Sequence, residues 1–406
     1  GLSPQQKQIV GFHLAEEGDM AASLCRRHSS PVGQPLDVDD LLSEILLRLP
    51  PQPSSLPRAS LVCSRWRRLV SNRSFVRRFR LHHRRSPPLL GCFVRTFDEF
   101  YFEPTMDPPD RVPRGRFSPQ SLHGDVFRPL GCRHGLVLIY NWSQLEVVVW
   151  DPVNGAQHHI ALPPGFDILE VPIHIQGAVL RAATDIQHFQ VILVGLENRQ
   201  VIARVYSSET GGWGDIISMP LPPGVSSILY IGKPSVLVGD SLYWLIAGDF
   251  VRIIKFDLER QSLAVIAVPL DMHVRKHFQC SVMRADDGGL GFLFLSDISA
   301  QLLNRKTDCD GAASWVLGRT IGLDKLFTLN LHKEKAPLNI IGFAEENNVV
   351  FLSMGLGIFM IQLDSFQSKK ISETSRHCIY HPFESVYIAD TSIGGGRDGA
   401  ELLNIT

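Results

Sequence analysis

The chain of 406 residues carries 40 Lys+Arg against 41 Asp+Glu, a formal net charge of −1, with 44% hydrophobic and 20% charged residues. This is an ordinary globular balance with apolar mass for two or three domains, and near-neutrality argues against a protein that coats nucleic acid or an acidic membrane with its whole surface. Seven cysteines lie far apart with no C-x-x-C pair, which does not support a zinc ribbon or disulfide scaffold and suits a reducing compartment. The longest uncharged apolar run, Val349 to Leu363, is broken by Gly355 and Gly357 and is too short to span a bilayer. The expectation is a soluble intracellular protein.

In chain order, residues 1–34 read as a disordered leader, with Met20 as a candidate start. Arg26 and Arg27 among serines, with no acid between Met20 and Pro35, leave a transit peptide as the alternative, although no amphipathic apolar face accompanies them. Residues 35–82 form a helical module. Asp37 suits a helix cap, Asp39 and Asp40 suit the positive first turn, and Pro50 and Pro51 end the helix. Between them Leu41, Leu42, Ile45, Leu46 and Leu49 make one broad apolar stripe. A second helix is predicted from Ser54 or Ser55 through Leu61, Val62, Cys63, Trp66, Leu69 and Val70. A third follows Asn72, with Phe75, Val76 and Phe79 on one face. Roughly 45 residues without a staple bury little core, so the apolar surplus predicts docking onto another protein.

The phrases Asp39-Asp40-Leu41-Leu42-Ser43-Glu44-Ile45-Leu46-Leu47-Arg48-Leu49-Pro50 and Leu61-Val62-Cys63-Ser64-Arg65-Trp66-Arg67-Arg68-Leu69 resemble the F-box. The resemblance implies a three-helix module that binds the small adaptor subunit of a cullin–RING ubiquitin ligase. On it, Leu41, Leu42, Ile45, Leu46, Leu49, Pro50, Leu61, Val62, Cys63, Trp66 and Leu69 become the candidate partner-binding residues. One departure is visible: Asp37-Val38 stands where the motif usually has Leu-Pro before the acidic pair. Arginines from Arg65 to Arg85 are dense, but no stacking aromatics accompany them, so they read as the solvated side of short helices and not as a nucleic-acid patch.

Residues 83–393 change character. Five prolines between 103 and 119 predict a long exposed loop. Beyond about residue 129, short β runs alternate with turns: 135–140, 147–150, 191–196, 201–206, 236–238, 242–246, 252–256, 263–268, 291–295, 349–352 and 358–363. A strand ending in a large apolar residue before a polar turn recurs at Trp150, Tyr206, Phe256, Leu303 and Leu363, a repeat of roughly 50 residues. That period predicts a kelch-like β-propeller of about six blades, with Val386 to Ala389 joining residues 89–127 to close the ring. Gly131-Cys132-Arg133-His134-Gly135-Leu136-Val137-Leu138, Val149-Trp150-Asp151-Pro152 and Gly239-Asp240-Ser241-Leu242-Tyr243-Trp244 resemble plant F-box-associated domains. Residues 394–406 read as a tail.

No nucleotide-loop, zincin or nucleophile-elbow motif is present, and Tyr243 stands where an elbow after Gly239-Asp240-Ser241 needs glycine. The expectation is therefore multidomain α plus all-β, with no cofactor, no metal and no catalysis. It reads as a nuclear or cytoplasmic substrate adaptor that docks a ligase through its helices and a protein substrate through its propeller. On the propeller, the turns Asn141–Leu145, Ala247–Phe250 and Leu323–Phe327 are the candidate substrate surface. The alternative is a propeller lectin or enzyme with a helical oligomerisation segment.

Overall fold

The computed structural model describes residues 39–96, 99–118, 127–166, 175–181, 187–197, 199–221, 232–247, 250–268, 278–296, 299–323, 338–355, 357–373 and 378–389. The leader and tail expected at the two ends lie outside them. Among the described residues the amino-terminal module has four helices, α1 (Asp39–Leu47), α2 (Ser55–Ser60), α3 (Ser64–Val70) and α4 (Arg73–His82). This corrects the three-helix expectation. The second predicted helix breaks at Leu61 and Val62, and Cys63 adopts an extended conformation as the N-cap of α3. Asn72 caps α4 by accepting from the Ser74 amide at 2.8 Å.

Six antiparallel sheets then form a ring of blades. The second to sixth take their strands from residues 127–161, 176–220, 236–267, 280–322 and 339–372. Their innermost strands are β3 (Phe127–Arg133), β7 (Gln176–Arg181), β12 (Val236–Val238), β16 (Cys280–Arg284) and β20 (Asn339–Ala344). The first blade takes strands from both ends of the chain: β1 (Leu89–Arg95) lies between β2 (Phe100–Pro104) and β24 (Ile379–Glu384). Phe93 faces His381 and Arg95 faces Ile379 across that pair. The ring is thus closed by residues 379–384, which corrects the predicted closure by Val386–Ala389. Pro382 weakens a strand reading in sequence, yet β24 has a sheet neighbour on one side only, where a missing amide costs no ladder bond. Pro129 sits in β3, the matching inner strand of the next blade.

Residues 386–389 have another task. Val386 is 7% exposed and enters the core of the helical module beside Leu42, Leu46, Leu56, Phe75 and Phe79. The Ala389 amide donates to Pro53 O at 3.2 Å. The proline-rich segment is also more than an exposed loop, because Val112 and Phe117 are buried with Phe93, Phe102, Trp150 and Phe383 between the first two blades. Asp110 Oδ1 accepts from the Ser54 amide at 2.9 Å, and Arg116 Nε donates to Tyr387 Oη at 3.0 Å. Helices and propeller are therefore joined by apolar packing and by hydrogen bonds from two separate segments.

Candidate partner-docking surface

Helix α1 sorts its apolar residues by face. Leu42 and Leu46, four apart, are 0% and 1% exposed and belong to the module's own core. Leu41 and Ile45, one position earlier in each turn, are 50% and 44% exposed. Two of the predicted contact residues are therefore unavailable to a partner, and two are displayed. The α2–α3 turn displays Leu61 and Val62, which are 59% and 62% exposed, and beside them Cys63 is exposed as well. Pro50 is exposed, whereas Leu49, Trp66 and Leu69 are half-buried against the core. Arg65 Nε donates to Asp39 Oδ1 at 2.7 Å, tying the start of α3 to the start of α1. The 61–63 turn and Leu41 thereby share one end of the module. Four large side chains exposed together on so small a unit form an interaction-type patch.

The arginines surround this patch and cross-link it. Arg78 Nη2 donates to Glu44 Oε1 at 2.5 Å, and Arg68 stands 3.9 Å from Asp39. These are exposed ion pairs that orient helices and each contribute little to stability. They agree with the reading of a solvated side.

The propeller's two faces differ. In every four-stranded blade the inner strand runs the same way, so its far end and the turn after the third strand lie on one face. That face carries the helical module: Arg84 Nη2 donates to Arg181 O, at the end of β7, at 3.1 Å, and Asn347 Nδ2 donates to Pro87 O at 2.9 Å. Of the turns predicted for substrate, Asn141–Leu145 lies toward the opposite face, after the second strand of its blade, as do the described ends of the other two, Phe250 and Leu323. In the first of them Leu145 is 46% exposed with φ 50°, and Ser143 Oγ donates to Asn141 Oδ1 at 2.8 Å. At Ala247–Phe250 only the ends lie within the described residues, and Phe250 is exposed beneath the Arg252 guanidinium. Leu323 is buried in the core, and the rest of its turn lies outside the described residues.

Sequence reasoning missed a polar cluster where the inner strands end near the module. Arg133 pairs with Glu345 and donates to Ser235 O at 2.8 Å. His134 Nδ1 accepts from the Arg181 amide at 3.0 Å. Burial, reinforced by Arg133, Arg84 and Arg181, pushes the His134 imidazole down to about 3. Burial pushes the Glu384 carboxyl up to about 7, although it accepts from the Asn347 side chain and from the Glu346 and Asn347 amides. Buried Lys233 donates to Cys280 O, and desolvation brings its amine down to about 8. The signal available in sequence was the Cys132-Arg133-His134-Gly135 phrase, whose histidine and glycine both take positive φ, at 53° and 74°. Among the described residues no group of three or more His, Cys, Asp or Glu could hold a metal ion, and no helix is long and apolar enough to cross a membrane.

A family model described as "F-box protein AT5G49610-like, beta-propeller" matches residues 129–387, and an F-box domain model matches residues 38–78. The chain belongs to this F-box propeller family. The chain is 28% identical over 383 residues to the putative F-box/kelch-repeat protein At1g15680 of Arabidopsis thaliana, covering 86% of this chain and 88% of that one. It is 26% identical over 148 residues to the putative F-box protein At1g33530 of the same plant, covering 36% of this chain and 32% of that one. Of solved structures, it is similar to a chain of a nidogen/laminin complex at TM-score 0.41 and 8% identity, covering 71% of this chain and 95% of that one. Similarity to the Dos1 propeller has TM-score 0.35 and 9% identity, with 73% and 70% covered.

In this F-box propeller protein the two matched regions leave out β1 and β2. Those strands lie between the matches and supply two of the three strands of the closing blade, against which Val112 and Phe117 pack.

Proposed function

We propose that this F-box propeller protein is the substrate-recognition subunit of an SCF-type cullin–RING ubiquitin ligase, acting in the nucleus or cytoplasm. Leu41, Ile45, Leu61 and Val62, with Cys63 and Pro50 beside them, receive the small adaptor subunit and through it the cullin. The observation that carries the reading is that these apolar side chains stay exposed while Leu42 and Leu46 fill the module's own core. Burying such residues in a partner contributes about 1.5–3 kcal/mol each before association costs. The chain itself breaks no bond. It holds a protein substrate on the propeller near the ligase's catalytic arm and raises its effective concentration there.

The test is co-purification of the tagged full chain with the adaptor subunit. Ile45→Asp with Val62→Asp is expected to abolish capture while circular dichroism and melting stay those of the parent. Undiminished capture by the folded double variant rejects the docking face. A parent chain that captures no adaptor at all rejects the ligase role.

A further inference from the structure

The outermost strand of each blade leaves one row of backbone donors and acceptors without a sheet neighbour. Most of these rims are guarded. Ala161 O, at the end of β6 (Gln157–Ala161), accepts from the Trp213 indole of the next blade, and Ala267 O, at the end of β15 (Ser262–Ala267), accepts from Trp315. The strand Ile217–Pro220 ends in proline, β23 (Ser368–Ser372) carries Lys369 and Lys370, and Glu103 of β2 pairs with Arg114 of the neighbouring segment. Each device discourages a further strand from pairing. β19 (Ala313–Gly322) differs. It is 10 residues long, carries no charge from Ala313 to Gly318, and displays Val316 and Leu317 at 48% and 56% exposure. Its register against β18 (Ser299–Thr307) is regular from Ala313 to Leu317 and shifts at the bulge that follows, where Arg319 faces Leu302. Residues 313–317 therefore offer an uncharged, partly apolar pairing edge.

The charge beside this edge indicates what completes it. Arg305 faces Trp315 across the β18–β19 pair, so the two side chains share a face, and the guanidinium lies over the indole at 5.7 Å. Burial lowers the Arg305 pKa, and among the described residues no carboxylate pairs with it. The acids nearby are committed elsewhere, Asp287 to Lys306 and Asp286 to Arg319. A strand added outside β19 puts the residue opposite Trp315 on this same face. It lies about 9.6 Å from β18, two strand spacings, which an arginine and a glutamate side chain bridge together. We propose that the β19 edge takes an extended segment of a partner protein as an antiparallel fifth strand, one in which two apolar residues precede an acidic residue. The acid, opposite Trp315, meets Arg305, and the apolar pair covers Val316 and Leu317. A second copy of this chain fits less well, because residues 313–318 of its own β19 bring no carboxylate to Arg305. This rim site is separate from the docking patch on the helices and is measured on the chain alone.

The test titrates the purified full chain into a fluorescein-labelled peptide, threonine–valine–valine–glutamate–threonine flanked by serines, and follows fluorescence anisotropy. Saturable binding is expected, about tenfold weaker when glutamine replaces the glutamate. Arg305→Gln is expected to bind the two peptides equally. Val316→Lys with Leu317→Lys is expected to abolish binding of both while melting stays that of the parent. The glutamate–glutamine comparison uses the parent chain, so it decides the matter if either variant unfolds. No saturable binding of the glutamate peptide, or equal affinity of the parent for both peptides, overturns the proposal. A peptide-free parent that light scattering shows to be a dimer, made monomeric by Val316→Lys with Leu317→Lys, overturns it in favour of pairing between two copies.

Discussion

Trp213 and Trp315 do the same job on two blades. Trp213 Nε1 donates to Ala161 O and Trp315 Nε1 to Ala267 O, each at 2.9 Å, from an outer strand to the outer strand of the preceding blade. A sequence reader sees Gly212-Trp213 as a fragment of a repeat signature, but nothing in the letters states that the indole reaches across to another sheet. Trp213→Phe keeps the ring and removes the donor, so a loss of about 0.5–1.5 kcal/mol is expected in urea unfolding. Titrating groups supply a second test. Buried His134 and His381 are pushed down to about 3, by burial first and then by nearby arginines, whereas burial pushes Glu384 up to about 7. The stability tied to the histidines is present above their ordinary value of 6.5 and drains away as pH falls. That tied to Glu384 is present below its ordinary value of 4.5 and drains away as pH rises through 7. Between those two ordinary values these three groups together take up two protons on unfolding and release one, and His83, also lowered by burial, adds in the direction of uptake. Acidification across that window is expected to cost about 1.4 kcal/mol per pH unit, read from melting at several pH values. His381→Phe is expected to flatten the profile.

Among elements, strong alternation and β-branched runs were legible, and each of the eleven predicted strands is found. The unread ones are chiefly inner and outer strands of the blades. Inner strands such as β3 and β24 contain proline, and outer strands such as β6 (Gln157–Ala161) and β23 (Ser368–Ser372) are polar and half-exposed, so neither carries a clean period. The helix break at 61–63 was hidden for a related reason. Leu61 and Val62 fit a helical stripe by spacing, yet the structure spends them on a turn whose side chains face outward. Spacing reports that residues are apolar, not whether their own chain covers them. The same ambiguity put Leu41 with Leu42 and Ile45 with Leu46 in a single stripe that the folded module divides. Val386 shows the converse, since its apolar neighbourhood read as a strand and serves as a plug. Val386→Asp is expected to leave the ring closed by β24 while loosening α1 and α4, seen as faster proteolysis within residues 39–82 and unchanged β circular dichroism.

For the whole molecule, the helices and the predicted substrate turn Asn141–Leu145 stand on opposite faces of the propeller. The architecture class, the approximate blade number and the existence of a terminal closure were legible from a repeat of roughly 50 residues and from the cost of an open sheet edge. Which strand closes, and what lies beyond it, depends on contacts between residues some 300 positions apart, which no local pattern encodes. Because β24 and the plug are consecutive, helices and propeller are expected to melt in one transition. A chain ending at residue 373 is expected to lose both, as followed by tryptophan fluorescence for the ring and proteolysis for the helices. Two separated transitions in the full chain would contradict this coupling.

Val386 also sets an order in time. A ribosome releases residues 39–82 before the propeller, and domains nearer the amino end commonly fold as they emerge. Here the last side chain needed to complete that first domain arrives only after all six blades have been translated. A product that terminates before residue 386 therefore exposes an unfinished helical module.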